Sequence, residues 1–388
     1  MGAVAGVGAL LLKATARAAS PAAGKQGAGL PRRAFGRTGV EVPVLALGAA
    51  MDLSENQLIL AQCLKRGVTY WDTADGYSNG ASETGIGKYF GKHSQDRRRV
   101  FLVTKAGTDD PAGMDRHLAA SLARMKTDFI DLYFFHGVED IAAVDRPELK
   151  AWAERTKKAG RIRFIGLSTH KNMAPVMNGA AKLGWLDGLM TTYNYRVMHD
   201  DDMKRAVDAC AAAGMGVTAM KAQGGGPIND TKADRELAGH FITRGFTPEQ
   251  AKVKAVLEDT RIAAVCSYMD SVEILKSNVA AALDRTKLDA ADRKALNRHA
   301  AATHASVCGA CGRCERALDC PVPVSRIMRY LMYARNYGEH AVARDRFRVL
   351  GPAVHRRLAA TDFGRAERVC PHALPIGRLM REAALELA

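Results

Sequence analysis

A regular alternation of short apolar runs and amphipathic stretches, between residues 40 and 284, constrains the fold of this chain more than any other feature. Each apolar run has the length of a buried strand, and the stretches between the runs carry apolar residues at the i, i+3 and i+4 spacing of a helix face. The eight runs cover residues 44–50, 69–74, 100–106, 130–136, 163–170, 188–194, 217–223 and 263–269. Eight strand-then-helix units predict a closed (β/α)8 barrel. No GxGxxG motif follows the first strand, which disfavours an open dinucleotide-binding sheet.

Charge divides the 388 residues into three parts. Residues 1–39 hold six basic and no acidic residues, residues 40–284 hold 31 of each, and residues 285–388 hold 19 basic and 10 acidic residues. A body without net charge argues against a nucleic-acid-binding main domain. The predicted organisation is a leader over residues 1–30, the barrel over residues 31–286 and a small helical, cysteine-containing domain over residues 287–388.

The first residues leave the compartment open. Residues 2–12 are apolar but too short to cross a bilayer as a helix, so we expect no integral membrane span. They are similar to the apolar region of a signal peptide and are followed by small residues at A-x-A spacing, but no basic region precedes them. One interpretation is a true start upstream that carries a twin-arginine signal for export of the folded protein. The other is an Ala- and Gly-rich leader on a cytoplasmic protein.

Four polar residues lie at the ends of predicted strands two, three and four. Asp72 ends strand two, Tyr77 follows five residues later, Lys105 ends strand three and His136 ends strand four. In such a barrel the carboxyl ends of the strands meet at one mouth, where the active site lies. A tyrosine is a weak acid, with a pKa of about 10, but a nearby ammonium group stabilises its phenolate and a carboxylate holds the ammonium in place. The pattern predicts a proton-donating centre, beside which the histidine can donate a hydrogen bond to a substrate oxygen.

At these residues the chain resembles the aldo-keto reductase superfamily, over residues 35–284. The matching segments are FGRTGVEVPVLALG, WDTADGY, VFLVTK, DLYFFH and FIGLSTH, in that order. The resemblance implies an enzyme that interconverts the carbonyl group of a small molecule and an alcohol, with NAD(P)H as the hydride source. It also implies that the four strand-end residues are catalytic, with Tyr77 as the general acid in carbonyl reduction.

The same resemblance implies residues that bind the nicotinamide nucleotide. Ser168 matches the residue after the fifth strand that binds the nicotinamide carboxamide, and Thr169 stands where the family often has Asn. Met220 occupies the position of a side chain that stacks on the nicotinamide, although it also fits a core residue. Asn278 matches an asparagine that contacts the adenine.

Two departures from the family pattern bear on the choice of nucleotide. Relatives specific for NADP place basic residues after strand eight, where this chain has Asp270 and Glu273 and no Lys or Arg before Lys276. Carboxylates at these positions would repel a 2′-phosphate. The glutamine that is usual on strand six is Met190, which removes an amide contact to the nicotinamide. NAD, or a site that discriminates weakly, is therefore as consistent with the sequence as NADP.

Five of the eight cysteines lie in the last 81 residues, and three of these form a C-x2-C-x2-C run that is typical of metal or cluster ligation. The segment CGACGRCERALDCP (308–321) is followed by a degenerate copy, ATDFGRAERVCP (360–371). This pair is similar to a two-cluster bacterial ferredoxin that has lost half of its ligands. It also resembles the tail of the aldo-keto reductases that carry a carboxyl-terminal 4Fe-4S domain.

The ferredoxin resemblance implies one 4Fe-4S cluster and a set of ligands for it. In two-cluster ferredoxins the fourth cysteine of each run ligates the other run's cluster. The trio Cys308, Cys311 and Cys314 would then use Cys370, the one cysteine that the second copy keeps. Two alternatives stay open, namely Cys320 as a local fourth ligand and a zinc ion bound by four thiolates.

Two functions of different classes are consistent with these features. The first is an NAD(P)(H)-dependent oxidoreductase with one cluster in its tail, which the complete set of strand-end residues favours. The second is a redox-sensing or electron-transfer protein whose barrel binds nucleotide but turns over little. The net charge of +9 on residues 285–388 predicts that an electron carrier docking there is acidic.

Overall fold

A computed structural model describes residues 29–225, 231–304 and 307–388 of the chain. All but the last two residues of the predicted leader, 1–30, lie outside these ranges. The eight predicted strands form a closed barrel of parallel strands in chain order, and the last strand pairs with the first, which confirms the predicted fold of this part. The barrel strands are β3 (Leu45–Gly48), β4 (Tyr70–Asp72), β5 (Phe101–Ala106), β6 (Ile130–Phe135), β7 (Ile162–Thr169), β8 (Gly188–Thr192), β9 (Gly216–Met220) and β10 (Ile262–Tyr268).

Helices surround the barrel and continue into the carboxyl-terminal segment, residues 287–388, which is called the tail. The barrel helices are α1 (Gln57–Lys65), α2 (Ala81–Lys92), α3 (Pro111–Met125), α4 (Pro147–Lys158), α5 (Met173–Leu183), α6 (Asp201–Ala212), α7 (Lys232–Ile242), α8 (Pro248–Leu257) and α9 (Val272–Leu283). The later helices are α10 (Ala290–Ala302), α11 (Arg313–Arg316), α12 (Val324–Tyr337), α13 (His340–Arg348), α14 (Pro352–Ala360), α15 (Gly364–Arg368) and α16 (Ile376–Glu386). No helix among the described residues has both the length and the apolar character that a membrane span requires.

Local sequence signals explain where the helices begin. Helix α8 starts after Thr247, whose side chain accepts a hydrogen bond from the backbone of Gln250 while Gln250 bonds back to the backbone of Thr247. Helix α3 starts with Pro111 after Asp110, whose carboxylate accepts from Gly113 N at 2.7 Å. These caps satisfy backbone N–H groups that have no partner inside the helix.

Alternating side chains of the barrel strands form two apolar layers. Tyr70 points into the barrel, where its ring packs against Phe101 at 5.2 Å between centroids. Its neighbour Trp71 points outwards and stacks on Phe90 of α2 at 5.7 Å. The period-2 alternation of a strand thus fills the barrel and attaches the helices with one segment of sequence.

A short hairpin closes the amino-terminal end of the barrel, and the sequence did not predict it. Strands β1 (Arg32–Ala34) and β2 (Glu41–Pro43) pair antiparallel. Arg37, in the turn between them, donates to the carbonyl oxygens of Ala213 and Gly184 at 2.6 and 2.8 Å. The ring of Phe35 is fully buried beneath the barrel. At Gly216, the first residue of β9, a Cβ atom would lie 2.4 Å from that ring, so this position must be glycine. The hairpin with its Phe35 side chain thus forms a plug at this end of the barrel.

The tail has its own apolar core and lies against the carboxyl end of the barrel. Its core is formed by buried side chains of α12, α13 and α16, among them Leu331, Phe347 and Met380. Apolar side chains of α10, among them Leu296, pack against α7, and polar contacts join the rest of the tail mainly to loops that follow strands. Asn172 N donates to Ala310 O at 2.8 Å, Lys171 pairs with Glu315 at 2.8 Å, Arg326 pairs with Glu139 at 3.2 Å, and Asn336 Nδ2 donates to Gly225 O at 2.6 Å.

We expect the Phe35→Ala substitution to lower the free energy of unfolding by about 3 kcal/mol or more, because it empties a buried aromatic site that the rest of the barrel bottom cannot fill. Urea denaturation followed by circular dichroism measures this loss. Leu58→Ala is the control, since Leu58 is 60% exposed and its truncation is expected to change stability by less than about 0.5 kcal/mol. Equal losses in the two variants would contradict the assignment of the hairpin as a structural plug.

Candidate active site

A buried ion pair lies at the carboxyl end of the barrel. Asp72 ends β4 and Lys105 lies near the end of β5, and Nζ of Lys105 donates to Asp72 Oδ2 at 2.7 Å and to Thr73 O at 2.7 Å. Both side chains are almost fully buried. Burial alone would lower the pKa of Lys105, but Asp72 and then Tyr77 raise it above its ordinary value. The lysine is therefore charged at neutral pH and fixed in direction.

The third predicted residue, Tyr77, lies directly in front of this pair. Lys105 Nζ donates to Tyr77 Oη at 3.4 Å, and the ammonium lies 4.8 Å from the centre of the tyrosine ring. The turn after the tyrosine is left-handed at Ser78 and Asn79, with φ of 47° and 53°. Such residues cost about 1 kcal/mol or more each, and strain of this kind concentrates at functional sites. Burial raises the pKa of Tyr77, and Lys105 counteracts part of that rise.

His136 follows β6 and completes the predicted group. Its ring meets that of Tyr77 edge to face, with 5.7 Å between the centres. Burial, the charge of Lys105 and that of Arg346 lower the pKa of His136 to about 3. The imidazole is therefore neutral at physiological pH and keeps one N–H group as a hydrogen-bond donor. The structure brings all four strand-end residues together.

A cysteine outside the predicted group also contacts it. Cys266 of β10 lies with Sγ 3.7 Å from Asp72 Oδ2. The other carboxylate oxygen, Asp72 Oδ1, is buried without a hydrogen-bond partner among the described residues. Spacing in the sequence offers no signal for this contact, because closure of the barrel places β10 beside β3 and so near β4.

The predicted nicotinamide-binding residues lie at the ends of β7 and β9. Ser168 Oγ accepts a hydrogen bond from Gly137 N at 3.0 Å, which leaves its hydroxyl proton available to donate. Thr169 is fully buried and its hydroxyl donates to Lys171 O at 3.0 Å, so this side chain is already engaged within its own loop. Met220 is half-buried at the end of β9, and Met190 is buried inside the barrel.

The residues expected at the adenine end lie on β10 and α9. Asn278 is buried on α9, and its amide donates to Ser267 Oγ at 2.9 Å. Asp270 and Glu273 are both exposed at the start of that helix. The carbonyl of Asp270 accepts from Asn56 Nδ2 at 2.7 Å, which ties this loop to the first βα loop.

Four tail cysteines surround one small cavity. Cys308, Cys311, Cys314 and Cys370 all line it, together with His372. Burial is the main cause that raises the pKa of Cys308 and of Cys314 to about 12, and the nearby thiols add to both shifts. Within the described ranges no three His, Cys, Asp or Glu side chains converge closely enough to hold a single metal ion. The thiols are thus arranged around a space and not gathered at a point.

Cys320 lies elsewhere, beside the degenerate copy. Its thiol is 3.2 Å from Thr361 Oγ1, and it does not line the cavity of the other four. Near it, Phe363 and Ala366 occupy positions where the second copy lacks cysteine, and both are buried in the tail core.

The two copies of the degenerate repeat form the same hydrogen bond. Glu315 Oε1 accepts from Ser325 N at 2.8 Å, and Glu367 Oε1 accepts from Gly377 N, also at 2.8 Å. In each copy the carboxylate binds the backbone at the start of the following long helix, α12 or α16. The internal repeat recognised in the sequence is therefore also a structural repeat.

Comparisons with known proteins agree with this architecture. A fold of eight parallel strands with polar groups collected at their carboxyl ends is that of a (β/α)8-barrel enzyme. The model of the "Aldo/keto reductase family" matches residues 44–291. The chain belongs to that family and is an oxidoreductase.

The relatives are distant. The chain is 33% identical over 125 residues to the Schizosaccharomyces pombe protein "Aldo-keto reductase yakc", whose name includes NADP(+), covering 29% of this chain and 36% of the relative. It is 29% identical over 219 residues to methylglyoxal reductase DkgA of Escherichia coli K12, covering 55% and 74%. The structure of aldo-keto reductase AKR11C1 from Bacillus halodurans (holo form) shares the fold at 24% identity, with a TM-score of 0.57 over 70% of this chain and 96% of that chain.

Proposed function

We propose that the protein reduces the carbonyl group of a small molecule, or oxidises the corresponding alcohol, with a nicotinamide nucleotide. The observation that carries this proposal is the hydrogen-bonded series from Asp72 through Lys105 to Tyr77 at the barrel mouth. A buried, fixed ammonium group behind a phenol has little structural purpose, since an apolar side chain would fill the same space at no electrostatic cost. It has a clear chemical purpose if the phenol loses its proton during the reaction.

Each of the four residues has a part in this proposal. Tyr77 holds its proton at neutral pH and transfers it from Oη to the carbonyl oxygen of the substrate. Lys105 then stabilises the phenolate, and Asp72 keeps the ammonium charged and aimed. His136, neutral and beside the tyrosine, donates a hydrogen bond to the same substrate oxygen. When bound, the reduced nicotinamide supplies the hydride.

The sequence of the nucleotide-binding end favours a nucleotide without a 2′-phosphate, although one relative is named for NADP(+). Asp270 and Glu273 are both exposed where a phosphate clamp would need cations. We propose that the protein binds NADH at least as tightly as NADPH. Ser168 remains the candidate partner of the nicotinamide carboxamide, since its hydroxyl can still donate.

We further propose that the tail holds one 4Fe-4S cluster, with Cys308, Cys311, Cys314 and Cys370 as ligands. These four thiols line one cavity, whereas Cys320 lies against Thr361. The backbone N–H of Ala310 already donates to Cys308 Sγ at 3.3 Å, the type of contact that tunes cluster potentials. Zinc bound by the same four thiolates is the alternative, which metal analysis separates from the cluster. A bound cluster would supply one-electron redox chemistry.

A second candidate function rests on the neighbourhood of this cavity. Cys308, Gly309 and His372 line both the thiol-lined cavity and a larger cavity at the barrel mouth. This proximity favours a protein that exchanges electrons between a bound nucleotide and a partner, with an acidic carrier docking on the basic tail. The two functions differ in whether nucleotide-dependent reduction of aldehydes by the protein alone is fast.

Tyr77→Phe is expected to lower the turnover number for aldehyde reduction at least about 100-fold, because it removes the proton donor without changing the ring. Steady-state kinetics with a panel of aldehydes, ketones and quinones measure this loss. Tyr133→Phe is the matched control, since the hydroxyl of Tyr133 is buried without a hydrogen-bond partner among the described residues, and its removal is expected to leave turnover unchanged. Near-normal turnover of the Tyr77 variant would remove the tyrosine from the mechanism.

Fluorescence titration of the purified protein is expected to give a dissociation constant for NADH no larger than that for NADPH. Glu273→Arg places a cation at the start of α9 and is expected to strengthen NADPH binding about tenfold while leaving NADH within about twofold. A strong preference of the unmodified protein for NADPH would contradict the proposal and would mean that other basic residues reach the 2′-phosphate.

Protein purified without oxygen is expected to be brown and to contain about four iron and four sulfide per chain, with little zinc. Cys370→Ser is expected to abolish or destabilise the cluster, and Cys320→Ser to retain it. Iron and sulfide analysis with visible absorption spectroscopy measures both variants. The reverse order of losses would assign Cys320 as the fourth ligand, and one zinc per chain without sulfide would refute the cluster.

A further inference from the structure

The cavity at the barrel mouth lies between the tail and the carboxyl ends of β7, β8 and β9, and its volume is about 440 Å³. His170 and Lys221 line its barrel side, and Arg329 of α12 lines its tail side. Arg196, His304 and His372 line it as well. No Asp or Glu occurs among the described residues of the lining. The wall of this cavity is therefore basic without acidic compensation.

Arg329 and His170 carry hydrogen-bond donors that have no acceptor. Nη1 of Arg329 donates to His170 Nε2 at 3.0 Å. Since a guanidinium group can only donate, Nε2 accepts, and the neutral ring carries its proton on Nδ1. Both Nδ1 of His170 and Nη2 of Arg329 are buried and without a partner in the part of the chain that the structure describes. A buried donor without an acceptor costs about 1–3 kcal/mol.

Lys221 adds a third donor to the same cavity. It follows β9 with a left-handed φ of 58°, a conformation that is rare for a lysine, and Asn194 Nδ2 fixes its backbone by donating to Lys221 O at 3.0 Å. Residues 29–225, 231–304 and 307–388 provide no hydrogen-bond or ion-pair partner for its ammonium group. Burial, and then the charges of Arg329 and Arg346, lower the pKa of Lys221 to about 7.

The cavity neighbours the proposed catalytic group. His170 comes two residues after Ser168, and His136 is close enough to contribute to the depressed pKa of His170, after burial, Lys221 and Arg329. The cavity therefore adjoins the catalytic group, but Tyr77 and His136 do not line it, so a substrate would have to extend from Tyr77 to reach Lys221 and Arg329.

We propose that this cavity binds an anionic substituent, such as a carboxylate, of the carbonyl substrate, with Arg329 of the tail and Lys221 of the barrel as its charged partners and His170 as a neutral donor. Oxygen atoms of such a group would accept the hydrogen bonds that are now unmade and would balance the two cations. The inference rests on the proposed function in one respect, namely that the group belongs to a ligand of the reaction. The diphosphate of the nucleotide is the competing occupant, and the test distinguishes it from the substrate.

The test uses the full chain with Arg329→Gln and Lys221→Met, and with Arg329→Lys to restore the charge. Arg326→Gln is the matched control, because Arg326 lies on the same helix but pairs with Glu139 and does not line the cavity. The probes are NADH and NADPH in fluorescence titrations, and 4-carboxybenzaldehyde and 4-methylbenzaldehyde as an anionic and a neutral substrate of similar size.

If the anion belongs to the substrate, Arg329→Gln and Lys221→Met are expected to raise KM for 4-carboxybenzaldehyde about tenfold or more and to leave KM for 4-methylbenzaldehyde within about twofold. A rise in the dissociation constants of NADH and NADPH, with KM for 4-carboxybenzaldehyde unchanged, would assign the cavity to the nucleotide and overturn the proposal. Arg329→Lys is expected to recover most of the loss, and Arg326→Gln to behave like the unmodified protein. Values within twofold for every probe in both cavity variants would overturn the proposal while leaving the reductase function standing.

A further measurement separates this proposal from the proposed function. If the unmodified protein reduces no aldehyde, the reductase function fails, but calorimetric titration with benzoate still reports on the cavity. Binding that is at least about tenfold weaker in Arg329→Gln would support the anion site. Equal binding, or none to the unmodified protein, would refute it. Circular dichroism of each variant verifies that it is folded.

Discussion

The pairing of β10 with β3 is the constraint on which the rest of this structure depends. Closing the sheet places the carboxyl ends of eight strands on one rim, so that residues far apart in the chain become neighbours without any loop having to hold them. The contact between Cys266 and Asp72 exists only because of that closure. The plug of Phe35 at the opposite end fills the space that a closed barrel would otherwise leave open below its layers of side chains.

Two buried lysines on this rim have pKa values shifted in opposite directions by their neighbours. Lys105 has a carboxylate and a carbonyl oxygen at 2.7 Å, and its pKa is raised. Lys221 faces arginines and no described carboxylate, and its pKa is lowered to about 7. Removing one partner of a buried ion pair costs about 3–5 kcal/mol of stability. Lys105 is therefore held in place by its pairing with Asp72. Lys221 is uncompensated, and an anion from outside would stabilise it.

The barrel and the strand-end residues were predictable because the information is local. A run of alternating or continuous apolar residues predicts a strand directly. The polar residue at the carboxyl end of that strand must then lie on the rim of the barrel. Asp72, Lys105 and His136 could therefore be predicted as site residues. Lys221 also ends an apolar run, in the segment VTAMKAQ, but it was not predicted. The hairpin of β1 and β2 was missed because three-residue strands have no period to detect. Arg329 was beyond prediction, since only the docking of α12 on the barrel brings it to the rim.

The two copies of the tail repeat keep the same local geometry, although only the first copy has three closely spaced cysteines. The hydrogen bonds of Glu315 and Glu367 fix the same local geometry in both copies, whether or not thiols are present. In the second copy Phe363 and Ala366, at the positions that correspond to Cys311 and Cys314, lie in the apolar core that α12, α13 and α16 share. Cys314 belongs to this core, and Cys308 and Cys370 pack against it, so these thiols also contribute to the burial of the tail helices. The loop that carries Cys311 lies mostly outside that core, so it is the part of the tail that the proposed cluster would order most.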